Sequence, residues 1–231
     1  METTDKVYFY GASGHAKVVK DIAKLAYVNV PFMIDDNPNV NSLDGVPVVH
    51  SAKELSPIIV TIGDCKIRRK IVNKLGNREY LTLVHPKAVL ADSVRIGFGT
   101  VVMAGAILNP NAIVGNHSII NTGASLDHDV KVGDFVHIAP HCTLCGEVEV
   151  EDGTWVGAGT TVIQGVHIGK DCFIGAGSVV VKDIPDNVLC YGSPAKVIRS
   201  INQNAVNEVK ESTLGGGRIV FYYAAYNQIA A

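Results

Sequence analysis

Residues 108–150 read LNPNAIVGNHSIINTGASLDHDVKVGDFVHIAPHCTLCGEVEV, with an aliphatic residue at every sixth position: Leu108, Val114, Ile120, Leu126, Val132, Ile138, Leu144 and Val150. The step continues without insertion down to Val84, through Val102, Ile96 and Leu90, and up to Val180, through Val156, Val162, Ile168 and Ile174. If about a third of residues were Val, Ile or Leu, chance would give such a run about once in 10^8 trials, so the period marks a structural repeat. Four residues after each aliphatic stands a small or β-branched one, among them Ala106, Ala112, Ser118, Ala124, Val130, Cys142, Thr154, Thr160 and Ser178. The pattern predicts a parallel β-helix. Each rung is a short strand and a turn, its first and fifth residues point inward, and glycines and polar residues take the corners, where φ > 0 is often needed. A narrow interior admits Ala, Ser, Thr, Cys and Val but not Phe, in keeping with 23 glycines and only 6% aromatic residues.

The first eighty residues read differently. Val7–Tyr10 is predicted as a strand, Gly11-Ala12-Ser13-Gly14-His15 as a turn, and the stripe Val18, Val19, Ile22 and Leu25 as one face of a helix. PFMIDDNP gives a second strand ending at Asp35 and Asp36, and PIIVTIGDCKIRRKIVNKL repeats the scheme with a strand at 58–62, a turn at Gly63 and a helix from about 66 to 75. A glycine turn at a helix N-terminus, with an acid closing the next strand, suits a nucleotide phosphate and a ribose or base. The same glycines also fit a plain tight turn, because the full G-x-G-x-x-G is missing. The Arg68-Arg69-Lys70 run is expected on the solvated face of its helix. YLTLVHP at 80–86 runs into the first rung, so the domains are predicted as 1–80 and 81–200, followed by an extension at 201–231.

Charge, hydropathy and cysteines limit the function. A net charge of −2 gives no bulk attraction to nucleic acid. No apolar run approaches a membrane span. METTDKVYFYG does not have the form of a signal peptide, and five cysteines without scaffold density suggest reduced thiols in the cytoplasm.

YGASGHAKVV, IDDNP, VTIGDCKIRRKI, VHPKA, DHDVKVGDFVHIAPHCTLCGEV and the closing YGSPAKVIR together resemble one family over about residues 5–200. It is the bacterial hexapeptide-repeat sugar acetyltransferases, similar to sialic acid O-acetyltransferases and to N-acetyltransferases of nucleotide-linked 4-amino-6-deoxy sugars. The resemblance implies a small Rossmann-like α/β domain (βαβαβ) followed by a left-handed parallel β-helix with three rungs per coil, so that residues 18 apart stack about 4.8 Å apart. It also implies a cytoplasmic homotrimer in polysaccharide biosynthesis, with active sites between subunits, acetyl-CoA as acyl donor and no metal.

On that coil His128, the third residue of its rung, points outward beside Gly146, one coil further on, which leaves it open space. The resemblance makes His128 the general base and Asp129 the acid that orients it, with Asp127 or Glu147 as possible substitutes. It places His137 near the thioester and gives the Gly146 N–H to the thioester carbonyl. Ala158 and Ala176 would pass the pantetheine and Lys196 would approach the CoA phosphates. Gly11, Ser13, Gly14, His15, Asp35 and Gly63 would hold the nucleotide sugar. The chemistry agrees, since an imidazole titrating near neutrality can take the proton of an attacking amine, and a glycine N–H can stabilise an oxyanion.

The expected activity is acetylation of the amine of a nucleotide-linked 4-amino-4,6-dideoxyhexose. Two other enzymatic readings stand beside it: O-acetylation of sialic acid or another sugar hydroxyl, and a carbonic anhydrase-like metal site drawn from His117, His128, His137 and His141. A third is a scaffold or nucleotide-sugar sensor without catalysis. Cys142 falls on an inward position and is expected to be filler. The end of the chain reads as a polar extension, a glycine linker at 215–217 and an aromatic-rich segment outside the resemblance.

Overall fold

A computed structural model describes residues 6–51 and 55–201, together with the backbone of 212–214 and 217–219. The N-terminal layer runs β1 (Tyr8–Tyr10), α1 (Gly14–Leu25), β2 (Met33–Ile34), β3 (Ser42–Leu43), β4 (Val46–Val49), β5 (Ile58–Val60) and α2 (Cys65–Leu75). Its sheet has the order β3-β4-β2-β1-β5, in which β1, β2, β4 and β5 are parallel and only the β3–β4 pair is antiparallel. The β3–β4 hairpin is an addition to the predicted scheme: VPVV at Val46–Val49 forms β4 and extends the sheet beyond β2. In α1 the buried stripe is Ala16, Val19, Ile22 and Ala23, whereas Val18 and Leu25 face solvent. The helix lies close against β1 and the prism, and alanines at the contact permit that approach.

From β6 (Leu83–Val84) onward, two-residue strands recur every six residues and pair in parallel with the strand 18 residues away, as in Ile107↔Ser125, Ile119↔His137 and Lys131↔Glu149. The result is a parallel β-solenoid with three faces. The first face begins with β6 and includes His137–Ile138, Trp155–Val156 and Phe173–Ile174. The second includes Ile107–Leu108, Ser125–Leu126 and Thr143–Leu144. The third includes Ile113–Val114, Lys131–Val132 and Glu149–Val150. Both inward positions of the repeat are buried, from Val102 and Ala106 up to Ser178 and Val180. The solenoid closes with an antiparallel hairpin, Val188–Gly192 against Ala195–Ser200.

The N-terminal layer sits on the first face. Val7, Phe9, Ala12, Ala16 and Val19 share one core with Leu83, Val101, Met103 and Ile119. Ser212–Leu214 pairs antiparallel with Gly217–Ile219, so Gly217 of the expected glycine linker belongs to a strand, while 215–216 lie outside the described residues. The aromatic-rich segment after Ile219 lies outside the described residues.

Candidate active site

His128 lies in the turn that carries the chain from the second face to the third, between Ser125–Leu126 and Lys131–Val132. Its backbone N–H donates to Asp127 Oδ1 at 2.8 Å, and its ring Nδ1 pairs with Asp129 Oδ2 at 2.9 Å. A carboxylate on Nδ1 fixes the proton there and leaves the Nε2 lone pair free to act as a base. The hydrogen bond it donates to Asp129 raises the imidazole above its usual value, with smaller contributions from the charges of Asp127, Asp129 and Glu147. Of the three acids left open by the sequence, Asp129 therefore makes the ring contact. Asp127 holds the backbone, and the Glu147 N–H donates to the His128 carbonyl at 3.0 Å. Gly146 stacks beside the imidazole: a Cβ there would meet His128 Cε1 and Nε2 at 2.5 Å. The glycine is what lets the ring lie over the next coil. A groove of about 500 Å³ opens beside the pair, lined by Asp129, Lys131, Glu147, Glu149 and His167.

The predicted nucleotide residues gather on the other side of the solenoid. Gly11 has φ +112°, and a Cβ on it would lie 2.5 Å from Ile62 Cδ1, so only glycine fits. Asp35 is committed to the loop itself. Its Oδ2 accepts from the Ala12 N–H at 2.7 Å and its Oδ1 from the Asn37 N–H at 2.9 Å. Ser13 precedes α1 without capping it by its side chain. The Gly63 carbonyl accepts from His137 Nδ1 at 3.1 Å and from Arg68 Nη1 at 2.8 Å, and Asn121 Nδ2 donates to His137 Nε2 at 3.0 Å. His15 stands near, its ring centroid 6.4 Å from that of His137.

Arg68 corrects the sequence reading. It is 1% exposed rather than solvated. Its guanidinium donates to the carbonyls of Ile62, Gly63, His117, Phe135 and Val136, bridging the N-terminal layer and the prism. Arg69 instead pairs with Asp171 at 2.9 Å. Burial, seconded by the Arg68 charge, holds His15 and His117 at about 4 and His137 at about 3.

These imidazoles make stability depend on pH. Unfolded, each binds a proton below its ordinary value of 6.5; folded, His15 does so only near 4. Their contribution is complete above pH 6.5 and is lost as pH falls toward 4. For His15 alone the loss at pH 4 is about 3 kcal/mol, or roughly 6–12 °C in Tm. A melting temperature unchanged between pH 7 and 4.5 would contradict neutral burial of these rings.

Ala158 and Ala176 are exposed on a third feature, the corner between the first and second faces, and the exposed Lys196 belongs to the hairpin that closes the solenoid. Within one chain the structure thus forms three groups: the His128–Asp129 pair over Gly146, the layer with Gly63 and His137, and the Ala158–Ala176 edge. In a three-faced coil, the corner between the second and third faces lies opposite the first face. His128 and His137 are therefore not neighbours in a single copy, as a shared thioester site within one chain would require. His117 is sandwiched edge-on to Tyr80 and stacked on Phe135. Among the described residues no three His, Cys, Asp or Glu side chains converge as metal ligands. Cys142 is fully buried and burial raises its thiol to about 11, as suits filler.

The chain thus combines a glycine turn leading into a helix, docked on a six-residue-repeat solenoid, with an exposed histidine–carboxylate pair at one corner. The PglD N-terminal domain family matches residues 6–75, and the bacterial transferase hexapeptide family (six repeats) matches residues 147–182. A histidine-to-asparagine variant of perosamine N-acetyltransferase from Caulobacter crescentus, solved with CoA and GDP-perosamine, is 38% identical with a TM-score of 0.81, over 85% of this chain and 98% of its own. The acetyltransferase domain of PglB from Neisseria gonorrhoeae is 33% identical with a TM-score of 0.78, over 84% of this chain and all of its own (100%). UDP-N-acetylbacillosamine N-acetyltransferase from Bacillus subtilis is 37% identical over 110 residues, 42% of this chain and 51% of its own length. The curated relatives are thus matched over only 21% and 51% of their lengths. The chain belongs to the hexapeptide-repeat sugar acetyltransferase family.

Proposed function

We propose that the protein transfers the acetyl group of acetyl-CoA to the amino group of a nucleotide-linked 4-amino-4,6-dideoxyhexose, with His128 as general base. The observation that carries this reading is the His128–Asp129 pair at 2.9 Å, exposed over Gly146. The perosamine enzyme solved with CoA and GDP-perosamine supports the substrate class. The neutral amine attacks the thioester carbon as His128 Nε2 takes a proton from the nitrogen. The tetrahedral intermediate then expels the CoA thiolate, and the imidazolium returns the proton to sulfur. The Gly146 N–H is the oxyanion donor in this scheme. No covalent enzyme intermediate is needed.

The glycine loop with Gly11, Ser13, Gly14, His15 and Gly63 binds the nucleotide sugar, and Asp35 shapes that loop through Ala12. The edge with Ala158, Ala176 and Lys196 carries CoA. Because the loop and His128 occupy opposite sides of one solenoid, the working enzyme joins the loop of one copy to the corner of another, and the family resemblance makes that assembly a homotrimer. Its place is the cytoplasm, in keeping with five cysteines without disulfide-scaffold density.

Incubation with acetyl-CoA and GDP-, UDP- and dTDP-linked 4-amino sugars, followed by a free-thiol assay, is expected to show release of CoA with at least one of them. Free sialic acid is expected to give none. Silence across the nucleotide sugars with turnover of sialic acid would transfer the reading to O-acetylation.

A further inference from the structure

The corner that carries His128 is a column in which each residue rests on the one 18 positions earlier. One coil beneath the two aspartates flanking His128 stand two asparagines. Asn109 Nδ2 donates to Asp127 Oδ1 at 2.9 Å, the oxygen that also accepts the His128 N–H. Asn111 Nδ2 donates to Asp129 Oδ1 at 3.0 Å, while the other oxygen of that carboxylate takes His128 Nδ1. Asn111 is itself tied down, its N–H donating to Ser93 Oγ at 2.8 Å one coil lower still. Asn111 and Asp129 both occupy the left-handed region, at φ +65° and +61°, which asparagine and aspartate tolerate better than most residues.

We infer that Asn111 is a positioning residue for the proton-transfer pair: it anchors one oxygen of Asp129 so that the other stays on His128 Nδ1 and the imidazole presents Nε2. This inference rests on the reading of His128 as the base. The need for an anchor follows from exposure. The Asp129 side chain is 47% exposed, and a carboxylate there without a second contact would rotate into water. The nearest cation, Lys131, is engaged with Glu149 at 2.6 Å and does not hold it. The charged groups around the imidazole are Asp127, Asp129 and Glu147, with the Lys131–Glu149 pair and His167 further along the groove.

Two variants test this, each compatible with the backbone at position 111. Asn111→Gly removes the donor and keeps the positive φ, and Asn111→Asp keeps the shape but turns the donor into a second carboxylate. For Asn111→Gly the expected result is a fall in kcat of roughly tenfold, the cost of one hydrogen bond to a charged group, with KM for acetyl-CoA within about twofold. The acidic limb of the kcat/KM profile is expected to move to lower pH, because an imidazolium that has lost its fixed carboxylate gives up its proton more readily. For Asn111→Asp the rate also falls, but the limb moves to higher pH, because a further negative charge lies beside the ring. An acidic limb that stays at the parent position in both variants, at whatever rate, would overturn the inference. His128→Ala, run in parallel, separates the two levels: near-parental turnover there would remove the base reading itself. A lost limb in His128→Ala with unmoved limbs in both Asn111 variants would remove Asn111 alone.

Discussion

Replacement of His128 by alanine is expected to lower kcat by roughly 10²–10⁴ while leaving the binding of nucleotide sugar and acetyl-CoA near parental levels. The ring is exposed, so little folding stability depends on it, and the glycine loop and the Ala158–Ala176 edge assigned to the two substrates are built from other residues. The loss should fall on the chemical step, because the alternative acids at this corner do not reach the amine as bases: Asp127 and Asp129 are held below the ordinary carboxylate range, each by a hydrogen bond from His128 and one from an asparagine. The sign of the pH dependence follows from the raised imidazole. Activity is low where the ring is protonated and rises as pH climbs through its value, and this limb should vanish in the variant. Turnover within a factor of about three of the parent would take His128 out of the mechanism.

Arg68→Met is expected to destabilise the fold by about 3–5 kcal/mol, read as a lower urea midpoint and a lower Tm. The substitution preserves much of the side chain's length and removes every donor. Carbonyls of Ile62, Gly63, His117, Phe135 and Val136 would lose the buried guanidinium, with Gly63 keeping only His137 Nδ1 and Val136 only the Ile119 N–H. Arg68→Lys should recover only part of the loss, because an ammonium has three donors and no planar fork to span two peptide segments. Loosening of the N-terminal layer would also relax Gly63, and with it His137, so affinity for the nucleotide sugar should fall along with stability. An Arg68→Met protein with an unchanged urea midpoint would show that the bridge contributes nothing.

The solenoid was legible because its signal is one-dimensional. An aliphatic residue at every sixth position and a small one four later specify which atoms face inward whatever the surroundings, and every such pair from Val102–Ala106 to Ile174–Ser178 is buried. The pairing of His128 with Asp129 was readable only as one of three options, because Asp127 lies as near along the chain and Glu147 as near along the column. The N-terminal layer was readable only in outline. Its strands are two to four residues long, and VPVV joins the sheet through tertiary pairing with β2 that no local pattern announces. Arg68 was misplaced for a related reason. A basic run on a helix reads as solvated unless carbonyls of a distant segment wait for it, and His117, Phe135 and Val136 lie 49 to 68 positions away. Asn109 and Asn111 were within reach of the eighteen-residue column, which points back to them as readily as forward to Gly146 and Glu147. The separation of His128 from His137 was within reach as well, since nine residues are half of an eighteen-residue coil and place them on opposite sides.

A coil of constant pitch makes height along the axis a quantised variable. Each group of side chains on the solenoid sits at a whole number of strand spacings above any group sharing its column, about 4.8 Å per step. Duplicating eighteen residues above the Glu149 rung would lengthen the column by one step without altering what lies beside His128. Eighteen unrelated repeat residues inserted between Asn111 and Asp129 would instead part the asparagine from its carboxylate by one full storey. Such a protein can therefore change its length only in integer steps, and the storeys it must conserve include those from Asn111 to Asp129 and from His128 to Gly146.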